Sequence, residues 1–430
     1  MHGSRMPNRL LVFCIILICF GFGFYRIFGR TAPEAFQARQ AMVIGANEPR
    51  FQSNFASSAQ HIQTHAASLV ELKDGRIRAF WFAGSREGAK DVEIRSAVFD
   101  PTSGQWGVEQ TVASREGTQQ SLMRYVSKLG NPVAGRAADG TLWLYYVTVS
   151  MGGWAGSSIT AMTSIDEGTT WSPARRLITS PFLNISTLVK GAPFFYTDGT
   201  MGLPVYHEFI SKFGELLRLD KTGKILDKQR LTAGGSGALQ PVVLVRDSSD
   251  ALVLMRYSGK DTPRRAISVT TNDAGQHWTP SVKSSLLNPD AALSALVLPD
   301  GRMLAALNNM EQGRDVLSLV VSADGGKTWK NIYSLEDQRN QQPDEARYLK
   351  IIEALAKNTD AKAAGAPGEY VESAKRQECS GHSCRFEFSY PYLIQAQGGE
   401  FHLVYTWNRS FIKHIRFNQA WLDQRLKEAK

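Results

Sequence analysis

Cysteine is scarce, with four in 430 residues. Cys14 and Cys19 lie within an apolar run, and Cys379 and Cys384 form one isolated pair in ECSGHSCRF. No second pair is available to complete a zinc site, and no His, Cys, Asp or Glu cluster has metal-ligand spacing. The pair reads as a disulfide closing a small loop in an exported protein, worth ~2 kcal/mol. Half a zinc site completed by His382 is the rival reading. A phosphate-cradling glycine loop is also missing, so neither metal nor organic cofactor is implied. Basic runs are lacking beyond the N-terminus, since Arg5, Arg9, Arg26 and Arg30 leave only +5 of the formal +9 to the remainder. Nucleic acid is therefore not an expected partner, whereas a mild positive excess suits an acidic one.

The first thirty residues contain no acid, and Leu10 to Tyr25 are uncharged and mostly apolar. As helix this run is about 24 Å long, and snorkelling of Arg26 would extend it toward the ~30 Å of a bilayer core. Residues 1–30 are expected to be a signal-anchor, or a signal peptide if cleaved, and 31–55 a linker. The expected location is the cell envelope: inner-membrane anchored with the globular part periplasmic, or secreted after cleavage.

Two offset ladders organise the rest. Ser/Thr-x-Asp-x-Gly-x-x-Trp occurs as SIDEGTTW, TNDAGQHW and SADGGKTW, with degenerate copies, so that aspartates fall at 100, 166, 220, 273 and 324. Hairpin turns of Asp-Gly type occur at Asp74, Asp139, Asp198 and Asp300, and related turns at Asp247 to Asp250 and at Gly398-Gly399. Between them lie short runs rich in β-branched and aromatic residues, such as TLWLYYVTV. Four-stranded units recurring about every fifty residues bury both faces when stacked around an axis. The expected fold is all-β, a six-bladed β-propeller with Asp-box turns over residues 56–425. A β-sandwich or β-helix would not require two ladders in step. A helical insertion before the last blade, 334–385, contains apolar Ala346, Leu349, Ile352 and Leu355 at three-residue steps, followed by a Gly/Ala/Pro loop.

The Asp-box turns, the six units and the segments AFWFAGSREGAKD, LPVYHE, LQPVVL, LLNPDAALSA, EFSYPY and VYTWNRSFIKHIRF resemble the sialidase superfamily, in its bacterial BNR-repeat branch. The resemblance implies an arginine triad for the substrate carboxylate, an aspartate acid/base and a tyrosine nucleophile assisted by a glutamate. A neutral phenol suits a carbon that bears a carboxylate, which would repel an anionic nucleophile. Carried across, it implies Asp91 as acid/base, Tyr390 as nucleophile, and Arg86, Arg256 and Arg314 as substrate-binding. The sequence departs from the pattern twice: His65 stands where the first arginine is expected, and Gln240 where the assisting glutamate is. Glu208 and His207 are candidate replacements for the base, and Lys190 and Arg409 for the charge.

Taken singly, these residues have blander readings. Arg86 with Asp91 would be a loop ion pair worth under ~1 kcal/mol, Tyr390 a core tyrosine, and Trp154 either a sugar platform or a blade residue. The leading expectation is an exo-acting sialidase-like glycoside hydrolase removing a terminal acidic sugar of nonulosonic type from a glycan. The alternatives are a lyase acting on uronates, through His65 or His207 with Tyr390, and a non-catalytic glycan-binding propeller.

Overall fold

The computed structural model describes residues 6–28, 34–38, 48–58, 63–180, 184–339, 341–357, 367–380 and 383–429. Two units result, Met1–Glu34 and Ala35–Lys430. In the first, Met6–Phe28 is helical. Among the described residues, however, no helix is long and apolar enough to cross a membrane. The expected membrane-spanning anchor is thus not supported.

The second unit is built from six antiparallel sheets of four or five strands, one for each repeat. Every Asp-Gly-type turn joins the first and second strands of a blade. Every aspartate box joins the third to the next, as Asp166 does between Ser157–Ser164 and Arg175–Arg176. The boxes are self-contained. Asp324 accepts from Thr328 N at 2.9 Å and from Ser322 Oγ at 2.8 Å, Gly326 N donates to Ser322 Oγ at 2.9 Å, and Trp329 Nε1 donates to Gly326 O at 3.1 Å. Side chains reaching back two to four residues shape such turns regardless of context.

The first strands of neighbouring blades contact one another, except that blade three meets the first strand of blade four through its second and third strands, and so they line the axis. Core clusters form between adjacent blades, the largest joining blades five and six around Trp407, Phe388 and Tyr405, all fully buried. The sixth blade takes its outer strand from far upstream. Phe51–Phe55 pairs antiparallel with Phe411–Phe417, so residues expected to end a linker instead close the ring. Further up, Phe36 is fully buried, bridges to Tyr196 and donates its N–H to Ser248 O at 2.8 Å.

The insertion begins later than expected, because the last strand of blade five, Lys330–Asp337, runs past Ser334. It contains two helices, Glu345–Lys357 and Pro367–Glu378, the second where a loop was expected. Tyr348 and Ile352, one turn apart, are fully buried, whereas Ala346 is exposed. The buried stripe therefore follows i, i+4 rather than steps of three. Leu355's side chain lies outside the described residues. Cys379 and Cys384 form the disulfide; His382 lies outside the described residues.

Hydrogen bonds from Thr170 and Ser164 hold the Asp166 carboxyl down to about 2, and those from Thr328 and Ser322 do the same for Asp324. Carboxyls lowered on folding stabilise above their unfolded value near 3.8, and that stability is lost as pH falls toward 2. The melting temperature should therefore fall more steeply between pH 4 and 2 in the wild type than in the Asp166→Asn/Asp324→Asn double variant. Circular-dichroism melts with equal slopes would remove this role.

Candidate functional site

The strand nearest the axis contains one extra residue in four blades. In blade one, Gln63–Glu71, the pairing jumps from His65↔Phe82 to Ser68↔Phe80, so Ala66 and Ala67 oppose Trp81 alone. The same shift occurs in Lys128–Arg136 at Asn131-Pro132, in Ala238–Val245 at Gln240-Pro241 and in Phe388–Gln395 at Tyr390-Pro391. Proline suits the unpaired position because it has no N–H to leave unsatisfied. The residue before it is left-handed in each case, with φ of 42° at Asn131, 53° at Gln240 and 55° at Tyr390. Blades three and five place Ser186 and Asp290 in the same conformation just ahead of their first strands. Such backbone is rare outside glycine, and bulges of this kind re-aim side chains. One such residue per blade thus stands at the axial mouth.

There they bond to one another. Tyr390 Oη accepts from Arg256 Nη1 at 3.2 Å and from Gln240 Nε2 at 3.3 Å. Arg256 Nη1 also lies 3.4 Å from Gln240 Oε1, and because guanidinium only donates, this fixes which end of the amide faces the tyrosine. The same Nε2 is 3.4 Å from Tyr206 Oη, which also accepts from Asn131 Nδ2 at 3.1 Å. Arg256 Nε is held by Asp290 Oδ1 at 2.6 Å. Five blades, two to six, thus meet through side chains around Tyr390 and Tyr206.

Beneath and beside it lie two buried bases. The His65 ring is 4.3 Å from that of Tyr390, and its Nδ1 has no partner among the described residues. Burial, then the nearby Arg409, push the imidazole down to about 3, so it is neutral and cannot supply a missing arginine's charge. Lys190 Nζ sits 5.8 Å over the Tyr390 ring and 4.9 Å over that of Tyr392, and burial lowers its ammonium to about 7.

A second cluster forms on Glu387. Its Oε1 accepts from Arg314 Nη1 at 3.0 Å and from Ser389 Oγ at 2.8 Å, and its Oε2 from Arg409 Nε at 2.8 Å. Burial opposes ionisation, but Arg409 and Arg314 hold the carboxyl down to about 2. Arg314 Nη2 also donates to Asp290 O at 2.8 Å, tying this cluster to the first. A cleft of roughly 500 Å³ opens beside it, lined in part by Arg314, Glu387, Arg409, Arg385 and Gln341.

The remaining candidates divide. Burial raises the half-buried Glu208 carboxyl, while Arg256 pulls the other way. His207 does not join the site, because alternation along Met201–His207 turns it away and its ring stacks on Phe213 at 4.7 Å. Asp91 is exposed on the loop above blade one, where its carboxylate accepts from Ser85 N and Ser85 Oγ, both at 2.9 Å. Arg86 is exposed on the same loop, with no side-chain bond to any described residue. Neighbouring Glu87 reaches Arg409 Nη1 at 3.9 Å, which ties the loop to the second cluster. Trp154 is half-buried against Gly130, beside the Asn131 bulge. Residues that sequence reasoning missed are Glu387, Asp290, Asn131 and Tyr206. The Asn-Pro in GNPVA was one available signal, matching the Gln-Pro and Tyr-Pro of the other bulges.

The model of the BNR repeat-like domain matches residues 75–403. The chain belongs to the BNR repeat-like domain family. Its fold is also that of solved sialidases. The Hadza microbial sialidase Hz136 superposes with a TM-score of 0.62 at 15% identity, covering 84% of this chain and 67% of that one. The intramolecular trans-sialidase from Ruminococcus gnavus gives 0.58 at 13%, covering 86% and 97%. A protein of unknown function from Dyadobacter fermentans gives 0.61 at 12%, covering 85% and 98%. No curated protein matches the chain. At such identities the likeness establishes the architecture of this BNR-repeat propeller.

Removing the charge of Glu387 would leave two guanidiniums facing each other in a mostly buried site. Glu387→Gln should lower unfolding free energy by about 3–5 kcal/mol in urea titrations. A change under ~1 kcal/mol would mean that the arginines repartner freely.

Proposed function

We propose that this protein is an exo-acting glycoside hydrolase of sialidase type, removing a terminal acidic sugar of nonulosonic class. The observation that supports it best is the placement of Tyr390 Oη, on a strained bulge at the axis, within reach of N–H groups from Arg256 and Gln240. Arg256, Arg314 and Arg409 offer forked donors for the sugar carboxylate, which would compete with Glu387 and Asp290 for them. Asp91 protonates the leaving oxygen as Tyr390 attacks the anomeric carbon. Water then releases the sugar from the tyrosine, with Asp91 now acting as base.

Gln240 cannot take the phenolic proton. Glu208, with its carboxyl raised by burial and close enough to feel Arg256, is the group assigned to do so. The disulfide supports a location outside the cytoplasm. One observation favours a second reading, elimination on a uronate: a neutral imidazole with a free nitrogen lies against Tyr390. An unsaturated product absorbing in the near ultraviolet would select it.

Tyr390→Phe and Asp91→Asn should each reduce kcat for release of free acidic sugar by at least ~100-fold, with KM changed by less than ~10-fold. Full activity in both variants would sink the mechanism. Glu208→Gln should lower kcat by about 10-fold or more, and Gln240→Glu, which places a carboxylate beside the phenol, should restore it in that background. An unchanged kcat in Glu208→Gln would mean that the base is supplied from elsewhere.

A further inference from the structure

In every blade the strand nearest the axis starts at the site, so the mouth is framed by the loops before these strands and by those joining second to third strands. The chemistry around it is lopsided. The arginines bonded into the two axial clusters come from blades four to six, as Arg256, Arg314 and Arg409, whereas Arg86 and Arg124 stand exposed on loops of blades one and two. Exposed large apolar side chains of these mouth loops, among the described residues, occur only by blades two and three: Met123 (94% exposed), Tyr125, Met151 (79%), Ile178, Phe209 and Ile210 (88%). Isolated exposed apolar residues need no explanation, but six sharing one arc of a site rim do.

The arc adjoins the loop that holds Asp91. A Cβ at Gly88 would lie 3.3 Å from Lys128 Cδ, and Lys128 Nζ is 5.7 Å from the Trp154 ring centre. Arg124 Nε donates to Ser150 Oγ at 2.7 Å, bringing the chain at Met123 and Tyr125 beside that at Met151. The group that protonates the leaving oxygen must stand on the aglycone side of the scissile bond. An aglycone on this side would cross Met123, Tyr125, Met151 and Trp154, with Arg124 among them and Arg256, Arg314 and Arg409 on the far arc.

We infer that the aglycone is apolar: the substrate class is an acidic sugar carried on a lipid-type alkyl chain. This rests on the hydrolase reading and adds what the sugar is attached to. Sugar carboxylate and alkyl chain would occupy opposite arcs of one mouth.

The test uses the full-length protein and an alkyl glycoside series of one nonulosonic acid, methyl to dodecyl, below micelle-forming concentrations. The dodecyl glycoside should show kcat/KM at least about tenfold above the methyl one. Met123→Ser/Tyr125→Ser/Met151→Ser, changing only exposed side chains, should bring that ratio close to one. A wild-type ratio of one, or a ratio unmoved in the triple variant, overturns the inference. If neither glycoside is cleaved, the hydrolase reading fails, and calorimetric binding decides this one: tighter binding of dodecyl than methyl, lost in the triple variant, upholds it, and equal binding ends it. Self-association of the wild type that the triple variant abolishes would assign the arc to a second copy and likewise overturn it.

Discussion

The arrangement depends on the pairing of Phe51–Phe55 with Phe411–Phe417. Each blade keeps a short outer edge, and the ring is locked only when first and last segments join in one blade, here across almost the whole propeller. Phe55 packs edge-on against Trp407 at 5.2 Å, so closure is also part of the largest core cluster. With the circle complete, spacing across the axis is fixed. Only then does Tyr390 of blade six meet Gln240 and Arg256 of blade four.

On this frame the bulges decide what faces the axis. A regular strand would alternate its side chains between the two faces of its blade; one extra residue breaks the alternation and points a side chain inward. The same device serves several chemistries: an amide at Asn131, an amide at Gln240 and a phenol at Tyr390. Function in this scaffold is therefore a matter of which residue occupies a position that the backbone already provides.

The fold was legible because its signals are local. Aspartate boxes and Asp-Gly turns are held by hydrogen bonds reaching two to four residues, and apolar runs between them show the strands. The site was only partly legible. Tyr390, Gln240 and Arg256 do converge, but Glu387 lies inside a quoted segment, EFSYPY, and passed as a flank because its partners Arg314 and Arg409 come from other loops. His207 was misjudged because strand alternation separates it from Glu208. FQSNF has no pattern of its own, since its partners are more than 350 residues away. The helix Pro367–Glu378 escaped notice because Gly365, Pro367 and Gly368 cluster at its start and read as loop signals, although Pro at a first helical position is favourable.

The upstream arm has one more consequence. Phe36 is pinned by Tyr196 and Ser248, next to turns that join first to second strands, and those turns lie at the opposite end of the blades from Tyr390. The arm thus staples blades three and four together at the face of the ring remote from Tyr390, and leaves the loops of the mouth uncovered by it.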